Sequence, residues 1–210
     1  IARYYRHVTL IDEPDDGQGD AVGKGIQLAK GDVIAWLNSD DSYYDNQVLE
    51  TISTLFEEGD DQVIYGDGVF FDGDGNKIRD VYVNKNSSTL PWRFQQEDGI
   101  FQPALFFKKS VPDSIGLPSQ YLEFCMDYEY WIRAVKHGIK FRYVPKKFAK
   151  AYFHTDNKTL GQRGKSYAQV CSMLFDQFGY VNHIWLQRYA EFLSDGFDGV
   201  IEHSGNTQLE

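Results

Sequence analysis

Apolar positions along the chain fall partly into short continuous runs and partly into helical periods, a mixture that is typical of an α/β protein. The clearest run spans residues 31–41, where apolar side chains end abruptly at the adjacent carboxylates of Asp40 and Asp41. A continuous apolar run bounded by turn formers is typical of a strand that is covered on both faces in a parallel or mixed sheet. Because ligands bind beyond the carboxyl ends of such strands, Asp40 and Asp41 stand where chemistry is expected.

Other apolar or alternating segments predict further strands. They cover residues 7–11, 62–65, 69–71, 77–83, 100–107, 140–145 and 148–154. The Gly-rich residues 72–76 predict a hairpin turn, and Pro103 predicts an edge or a bend in its strand. Residues 84–100 and 111–123 are polar or rich in turn formers, so we expect them to be irregular.

Apolar residues that recur with the period of a helix predict the remaining elements. The predicted helices cover residues 20–30, 45–58, 127–137, 166–178 and 181–193. Asp20 and Asp127 are the expected first residues of their helices, and Gly59 is an expected stop. Gly23 and Gly25 each cost a helix about 1 kcal/mol relative to alanine, which predicts either tight packing on the sheet or a close approach of ligand.

Composition and charge limit the classes of partner. The chain has 210 residues and a formal net charge of -10, which argues against a nucleic-acid partner because such partners need clustered Lys and Arg. Cys125 and Cys171 lie in apolar surroundings and are predicted to be buried thiols, which fits a reducing compartment. No signal peptide opens the chain and no apolar run approaches roughly 18–20 residues, so we expect a cytoplasmic chain without a transmembrane segment.

The two carboxylates at the end of the apolar run can hold a divalent cation. Mg²⁺ characteristically takes one or two carboxylates together with phosphate oxygens. Successive strand residues point to opposite faces, so Asp40 and Asp41 are expected to play different roles, one facing a metal and the other ordering the turn or capping the next helix. The alternative is that both are solvated turn residues.

Five blocks of the sequence form a longer pattern around the acidic pair. Two lie in the first part of the chain, residues 13–25, which read EPDDGQGDAVGKG, and residues 29–41, which read AKGDVIAWLNSDD. Three lie further on, residues 101–107, 126–133 and 154–159, which read FQPALFF, MDYEYWIR and HTDNKT. In order and spacing, the first two blocks resemble the donor half and the other three the acceptor half of the family 2 glycosyltransferases of the GT-A fold. Several blocks in order are far more specific than one acidic pair.

The resemblance implies a Rossmann-like mixed sheet flanked by helices. Residues 1–160 correspond to a partial GT-A domain, with a donor half at about 1–83 and an acceptor half at about 84–160, and residues 161–210 to a C-terminal helical extension. Members of the family begin with a strand-helix-strand unit that carries the uracil and ribose contacts, and nothing before Ile1 supplies it. We therefore expect a truncated domain with weak or no catalysis by this chain alone.

In function, the resemblance implies inverting, metal-dependent transfer of a sugar from a nucleotide-diphosphate sugar, with a UDP-sugar favoured, to a hydroxyl of a saccharide or lipid-linked acceptor. The implied cofactor is Mn²⁺ or Mg²⁺, which bridges diphosphate oxygens and stabilises the departing charge. The implied setting is bacterial synthesis of cell-wall or other polysaccharide, lipopolysaccharide or another glycoconjugate, in the cytoplasm or at the inner face of the membrane.

The resemblance also assigns a metal site. Asn38-x-Asp40 occupies the position of the family's DxD motif, and Asp40 matches its metal-binding second carboxylate. Asn38 replaces the first carboxylate of the motif. His154 corresponds to a histidine that binds the metal in some relatives, and a neutral imidazole is a suitable ligand. The alternative is that His154 is a surface residue.

Five residues are expected to contact the donor: Asp15, Lys24, Asn38, Asp41 and Lys158. Lys24 and Lys158 could face the diphosphate, although exposed lysines are common on any surface.

On the acceptor side, Asp127 falls where the family places its catalytic base, the second residue of an acidic pair whose first place is held here by Met126. A base at this position removes the proton of the acceptor hydroxyl. The alternative is that the Asp127 carboxylate caps a helix. Gln102 and Glu129 are further candidates for contacts with the acceptor.

Two other classes of function compete with the enzyme hypothesis. One is a catalytically inactive glycosyltransferase-like fragment that acts as a binding or assembly module. The other is a nucleotidyltransferase, which the Asp127 block and the Gln102-Pro103 segment disfavour.

Overall fold

The computed structural model describes residues 7–83, 91–153 and 161–194 of the chain. It contains six helices within this part: α1 Gln18–Leu28, α2 Val48–Glu58, α3 Ser110–Ile115, α4 Met126–Lys136, α5 Arg163–Phe178 and α6 His183–Ser194. Its strands are β1 Val33–Ala35, β2 Ser42–Tyr43, β3 Val63–Phe71, β4 Lys77–Val81, β5 Leu105–Lys108 and β6 Phe141–Tyr152. Short 3₁₀ helices cover Pro91–Gln95 and Gln102–Ala104.

The six strands form one mixed sheet with the order β1-β5-β3-β6-β2, and β4 pairs with the second half of β3. Only β3 and β6 run parallel among the described strand pairs, and the other pairs are antiparallel. Val63, Ile64 and Tyr65 of β3 are fully buried, because β3 lies at the centre of the sheet with neighbours on both sides. The expected mixed sheet is therefore present.

Helices cover both faces of this sheet. On one face, α1, α3, α4 and the α5–α6 hairpin enclose a large apolar core around Trp131. On the other face, α2 packs its buried Val48, Ile52 and Phe56 against the sheet. Because neighbouring strand residues point to opposite faces, Phe107 of β5 joins the first core while Phe106 joins the second.

Several boundaries differ from those that the sequence predicts. Residues 7–11 form no strand, because none of the described strands pairs with them and a strand needs a neighbour for its backbone hydrogen bonds. The apolar run that includes β1 is not covered on both faces, since Ile34 is buried on one face whereas Val33 is half-buried and Ala35 exposed on the other. Pro103 lies in a 3₁₀ helix that precedes β5, and residues 110–115 form the unpredicted helix α3.

The two predicted strands after residue 140 are one strand, β6. Pro145 lies within it at a shift of register, where Gly66 is opposite Val144 and Asp67 is opposite Lys147. Proline lacks a backbone N–H, and a bulge is a place where a strand tolerates that loss. The predicted hairpin between β3 and β4 is confirmed, with Gly75 at a φ of 83° in its turn.

The first helix begins two residues earlier than predicted, at Gln18, and its N-cap residue is Gly17 rather than Asp20. Gly19 needs to be glycine, because a Cβ atom there would lie 2.3 Å from the carbonyl oxygen of Ser119. Packing at Gly23 is only moderately tight, since an added Cβ atom would lie 3.5 Å from the Leu117 side chain. At Gly25 an added Cβ atom would have no neighbour within 4 Å.

The two cysteines are free thiols, as predicted, but only Cys125 is buried, whereas Cys171 is half-buried. Among the helices of the described ranges, none is both long enough and apolar enough to cross a membrane.

Candidate active site

An open cleft of about 710 Å³ lies beyond the carboxyl end of β1. The elements that form it come from both halves of the chain: the turn after β1, the segment around the Gln102–Ala104 3₁₀ helix and the start of α4. Among the residues that line it are the predicted site residues Asn38, Asp40, Asp41, Gln102 and Asp127. Tertiary structure therefore brings together side chains that lie as far as 89 positions apart in the sequence.

A closed network of hydrogen bonds fixes the floor of the cleft. The indole N–H of Trp36 donates to the side-chain oxygen of Asn38 over 3.2 Å. The Asn38 amide nitrogen donates to the Asp41 carboxylate at 2.9 Å and to the Gln102 side-chain oxygen at 3.3 Å. Gln102, itself buried, donates its own amide to the backbone carbonyl of Trp36. Asn38 and Gln102 are thus held as parts of the protein scaffold beneath the cleft.

Asp40 and Asp41 have different surroundings, although they are adjacent in sequence. The Asp40 residue is exposed, while Asp41 is half-buried and hydrogen-bonded to Asn38. Burial, with a smaller contribution from the negative charge of Asp40, raises the pKa of Asp41 to about 6, although the hydrogen bond from Asn38 works in the opposite direction. At neutral pH, Asp40 is therefore the more accessible carboxylate for a ligand in the cleft.

The donor set in the cleft fits a divalent cation only when substrate oxygens complete it. No group of three or more His, Cys, Asp or Glu side chains that could hold a metal occurs within residues 7–83, 91–153 and 161–194. The predicted ligand His154 and the predicted donor contact Lys158 both lie outside the described residues. Asp40 and Asp41 offer the one or two carboxylates that Mg²⁺ takes when phosphate oxygens and water supply its other ligands.

Asp127 is the second residue of α4 and is partly exposed in the cleft. The N-cap residue of α4 is Cys125, so Asp127 does not fill the N-cap position that was its alternative role. The backbone N–H of Tyr128 donates to its carboxylate over 2.9 Å. Surrounding protein raises the pKa of Asp127, and this hydrogen bond only partly offsets the rise. A carboxylate whose pKa is raised is a stronger base than that of an ordinary aspartate.

Asp98 is a site residue that the sequence did not reveal. It lines the same cleft as Asp127, in the irregular segment before the Gln102–Ala104 3₁₀ helix. Solvent reaches Asp98 through the cleft, but the dense protein around its carboxyl group keeps most water away from it. This desolvation raises the pKa of Asp98 well above the usual range, and the charge of Asp127 adds to the rise. Nothing periodic marks Asp98 in the sequence, where it belongs to the polar stretch Gln95–Gly99.

Two residues predicted to bind the donor lie away from the lining of the cleft. Asp15 accepts a hydrogen bond from the backbone N–H of Gly17 at 3.0 Å. The Lys24 ammonium lies 3.0 Å from the Asp20 carboxylate and donates to the Pro14 carbonyl over 2.9 Å. Lys24 of α1 therefore ties the preceding loop to the helix through the Pro14 carbonyl. Its charge is already balanced by the Asp20 carboxylate.

Glu129 does not face the acceptor side of the cleft. Its carboxylate forms a bidentate pair with Arg133, with both N–O distances 2.9 Å, and Arg133 also donates to the carbonyls of Ile115 and Leu117. Residues two positions apart in a helix are related by a rotation of about 200° around its axis, so Glu129 points away from the cleft that Asp127 faces. Glu129 is therefore not among the residues that line the cleft, and its pair with Arg133 holds α4 to the end of α3 and the segment after it.

Comparison with known proteins identifies the family. The profile described as Glycosyl transferase family 2 matches residues 1–116 of the chain. The chain belongs to glycosyltransferase family 2. Curated relatives include an uncharacterized glycosyltransferase of Rickettsia felis, 24% identical over 185 residues that make up 83% of this chain and 29% of the relative. Another, from Methanocaldococcus jannaschii, is 21% identical over 65% of this chain and 47% of its own length.

Solved structures show that this family 2 glycosyltransferase has the GT-A fold. The structure of S. aureus TarS 1-349 in complex with UDP-GlcNAc matches with a TM-score of 0.61 and 15% identity, and the match covers 91% of this chain and 57% of that one. A second structure of TarS 1-349 matches with a TM-score of 0.52 and 14% identity, over 84% of this chain and 50% of that one. The chain thus spans little more than half of the TarS fragment and under half of the curated relatives.

Proposed function

We propose that this family 2 glycosyltransferase moves a sugar from a nucleotide-diphosphate sugar to a hydroxyl group of a saccharide or lipid-linked acceptor, with inversion at the anomeric carbon. The observation that carries the proposal is that Asp127, from the acceptor half, faces the same cleft as Asp40 and Asp41, from the donor half. A UDP-sugar is the favoured donor, and the TarS structure with bound UDP-GlcNAc supports that class of donor.

On the donor side, Asp40 is the residue that would hold Mn²⁺ or Mg²⁺, together with oxygens of the donor diphosphate. When bound, the ion supplies positive charge that stabilises the departing nucleotide diphosphate. Asn38 contributes indirectly, because its hydrogen bond to Asp41 keeps the carboxylates of the turn in a fixed arrangement. His154 remains a predicted additional ligand.

On the acceptor side, Asp127 acts as the general base. Its carboxylate takes the proton of the acceptor hydroxyl while the hydroxyl oxygen attacks the anomeric carbon from the face opposite the leaving diphosphate. Attack from that face inverts the configuration in a single displacement. The raised pKa of Asp127 suits this step, since a base is most effective when its pKa lies near the working pH. The buried Gln102 shapes the floor between the two sides.

The test is release of nucleotide diphosphate from a panel of UDP-sugars, with candidate saccharide acceptors and either Mn²⁺ or EDTA. We expect release that is weak for this chain alone and that needs the cation, and NMR of the product is expected to show an inverted anomeric configuration. Asp127→Asn is expected to lower turnover by about 10²- to 10⁴-fold and to leave UDP binding nearly unchanged. Undiminished turnover in that variant would remove Asp127 from the role of base.

The competing function, a binding or assembly module, predicts neither turnover nor donor binding in the same assay. Calorimetry with UDP and Mn²⁺ separates a module from an enzyme that lacks only its acceptor. A role in bacterial cell-wall or other polysaccharide synthesis, and a place at the inner face of the membrane, stay predictions from the resemblance.

A further inference from the structure

A second cavity, of about 400 Å³, adjoins the cleft and shares part of its wall. Asp98, Phe124 and Asp127 line both spaces. The opposite wall of the second cavity comes from the C-terminal hairpin of α5 and α6, which is not part of the segment that the family profile matches. A volume of this size suits a ligand of about the dimensions of one sugar unit. A ligand in this cavity would therefore lie directly beside the proposed base.

Aromatic rings form one side of this cavity. Trp185 of α6 packs against Tyr128 and Tyr167, with distances between ring centroids of 6.0 and 6.4 Å. Such rings offer flat apolar faces, and tryptophan and tyrosine also carry polar atoms at their edges. This combination matches the surface of a sugar ring, which has apolar C–H faces and hydroxyl groups around its rim.

Two arginines give the hairpin side of the cavity a positive charge. Arg163 begins α5, and Arg188 of α6 places its guanidinium 5.1 Å from the centre of the Trp185 ring. Within the described ranges, neither arginine forms an ion pair with a carboxylate. Their charge is conspicuous in a chain whose formal net charge is -10. Guanidinium groups bind carboxylates and phosphates through paired N–H donors, so the two arginines are suited to an anionic ligand.

We propose that this cavity is an acceptor subsite that binds a sugar unit carrying an acidic group, either phosphate or carboxylate. The proposal rests on the proposed function, because it places the acceptor hydroxyl beside Asp127. Arg163 and Arg188 bind the acidic group, and the half-buried ring of Tyr167 contacts the sugar face beside the largely buried Trp185. The two arginines orient the acceptor, since they hold its anionic group at the hairpin end of the cavity and leave its hydroxyl groups at the Asp98 and Asp127 end.

Binding of small probes tests the subsite without donor, metal or turnover. The probes are glucose 1-phosphate, glucuronic acid and neutral glucose, added to the chain labelled with ¹⁵N. The readout is the indole N–H resonance of Trp185, which the Trp185→Phe variant identifies among the four tryptophans of the chain. We expect both acidic probes, or whichever one carries the preferred anion, to shift this resonance and to bind at least about tenfold more tightly than glucose.

Variants at the two arginines make the test specific. The double variant Arg163→Gln/Arg188→Gln is expected to lose the preference for acidic probes, and Arg163→Lys/Arg188→Lys to keep part of it because the charge remains. Arg142→Gln is the matched control, since Arg142 pairs with Asp61 away from the cavity. Circular dichroism of each variant shows whether it is folded.

Three outcomes would overturn the subsite. The first is equal affinity for glucose and for both acidic probes, and the second is an unchanged preference in the folded Gln double variant. The third is competition by UDP that depends on the same arginines, which would assign the cavity to the donor diphosphate. Failure of UDP-sugar turnover together with arginine-dependent binding of acidic probes would instead count against the proposed function, so the two failures are distinguishable.

Discussion

The side-chain amide of Asn38 donates a hydrogen bond to the carboxylate of Asp41 over 2.9 Å. This contact gives a structural role to Asn38 at the position that the resemblance matches to the first carboxylate of the DxD motif. Asn38 also accepts a hydrogen bond from Trp36 and donates one to Gln102, so its side chain is committed to the scaffold. The structure leaves Asp40 as the exposed carboxylate of the turn.

Asn38→Asp is expected to destabilise the free protein and to strengthen its response to Mn²⁺. The substitution removes the amide that donates to Asp41 and places a third negative charge beside Asp40 and Asp41. The free energy of unfolding should therefore fall by about 1–3 kcal/mol. Thermal unfolding in EDTA and in Mn²⁺ measures both effects. The control Asn38→Ala loses the hydrogen bonds without adding charge, and an equal Mn²⁺ response in both variants would contradict the prediction.

Asp41→Asn is expected to stabilise the protein above pH 6 but not near pH 4. The pKa of Asp41 is raised to about 6 in the folded state, so the folded state binds the proton more tightly than the unfolded state. The free energy of unfolding therefore falls as pH rises from about 4 to about 6, and asparagine removes this loss. Because the carboxyl is partly solvated, the gain should be about 1 kcal/mol. Urea unfolding across this pH range, without divalent cations, measures it, and a constant difference between the two proteins would refute it.

Asp127→Asn is expected to lower the pKa of Asp98. The charge of Asp127 is one of the causes that hold the pKa of Asp98 high, whereas poor hydration by the surrounding protein remains in the variant. The pKa of Asp98 should therefore fall but stay above that of an ordinary aspartate. NMR titration of side-chain carboxyl carbons in both proteins measures the shift. An unchanged titration of Asp98 would mean that the two carboxyls do not interact.

Glu129→Gln is expected to destabilise the fold without weakening donor binding. The substitution leaves the Arg133 guanidinium without the charge that balances it, which should cost about 3 kcal/mol of unfolding free energy. Asp60→Asn is the matched control, because it breaks the exposed Asp60–Lys140 pair and should cost less than about 1 kcal/mol. Chemical unfolding and UDP calorimetry measure the two properties. A loss of UDP affinity in folded Glu129→Gln would contradict a purely structural role for Glu129.

Gly19→Ala and Gly25→Ala in helix α1 are expected to have opposite effects. A Cβ atom at Gly19 would lie 2.3 Å from the Ser119 carbonyl oxygen, so that variant should lose about 1–3 kcal/mol of stability. A Cβ atom at Gly25 meets nothing within 4 Å, and alanine there should add up to about 1 kcal/mol through its helix propensity. Thermal unfolding of the two variants compares them. Similar melting temperatures would show that α1 moves to relieve the contact with Ser119.

Much of the fold follows from local patterns in the sequence. The helical periods place α2, α4, α5 and α6 to within a few residues, because each helix buries one apolar stripe. The β3–β4 hairpin follows from its Gly-rich turn. Residues 7–11 show the limit of such patterns, since their alternation resembles a strand but no described strand pairs with them. A sheet ladder needs a partner that a local pattern cannot supply.

The sequence by itself determined the family and the mixed sheet and proposed residues for the chemistry of the site, because blocks such as residues 29–41 keep their order and spacing along the chain. Only the tertiary structure decided which side chains share the cleft. It adds Asp98 to the cleft and the two arginines of the C-terminal hairpin to the adjoining cavity, and it turns Glu129 away towards Arg133. The physical reason is that hydration, charge and hydrogen bonding act over a few ångströms in space, between residues that lie many positions apart in the chain.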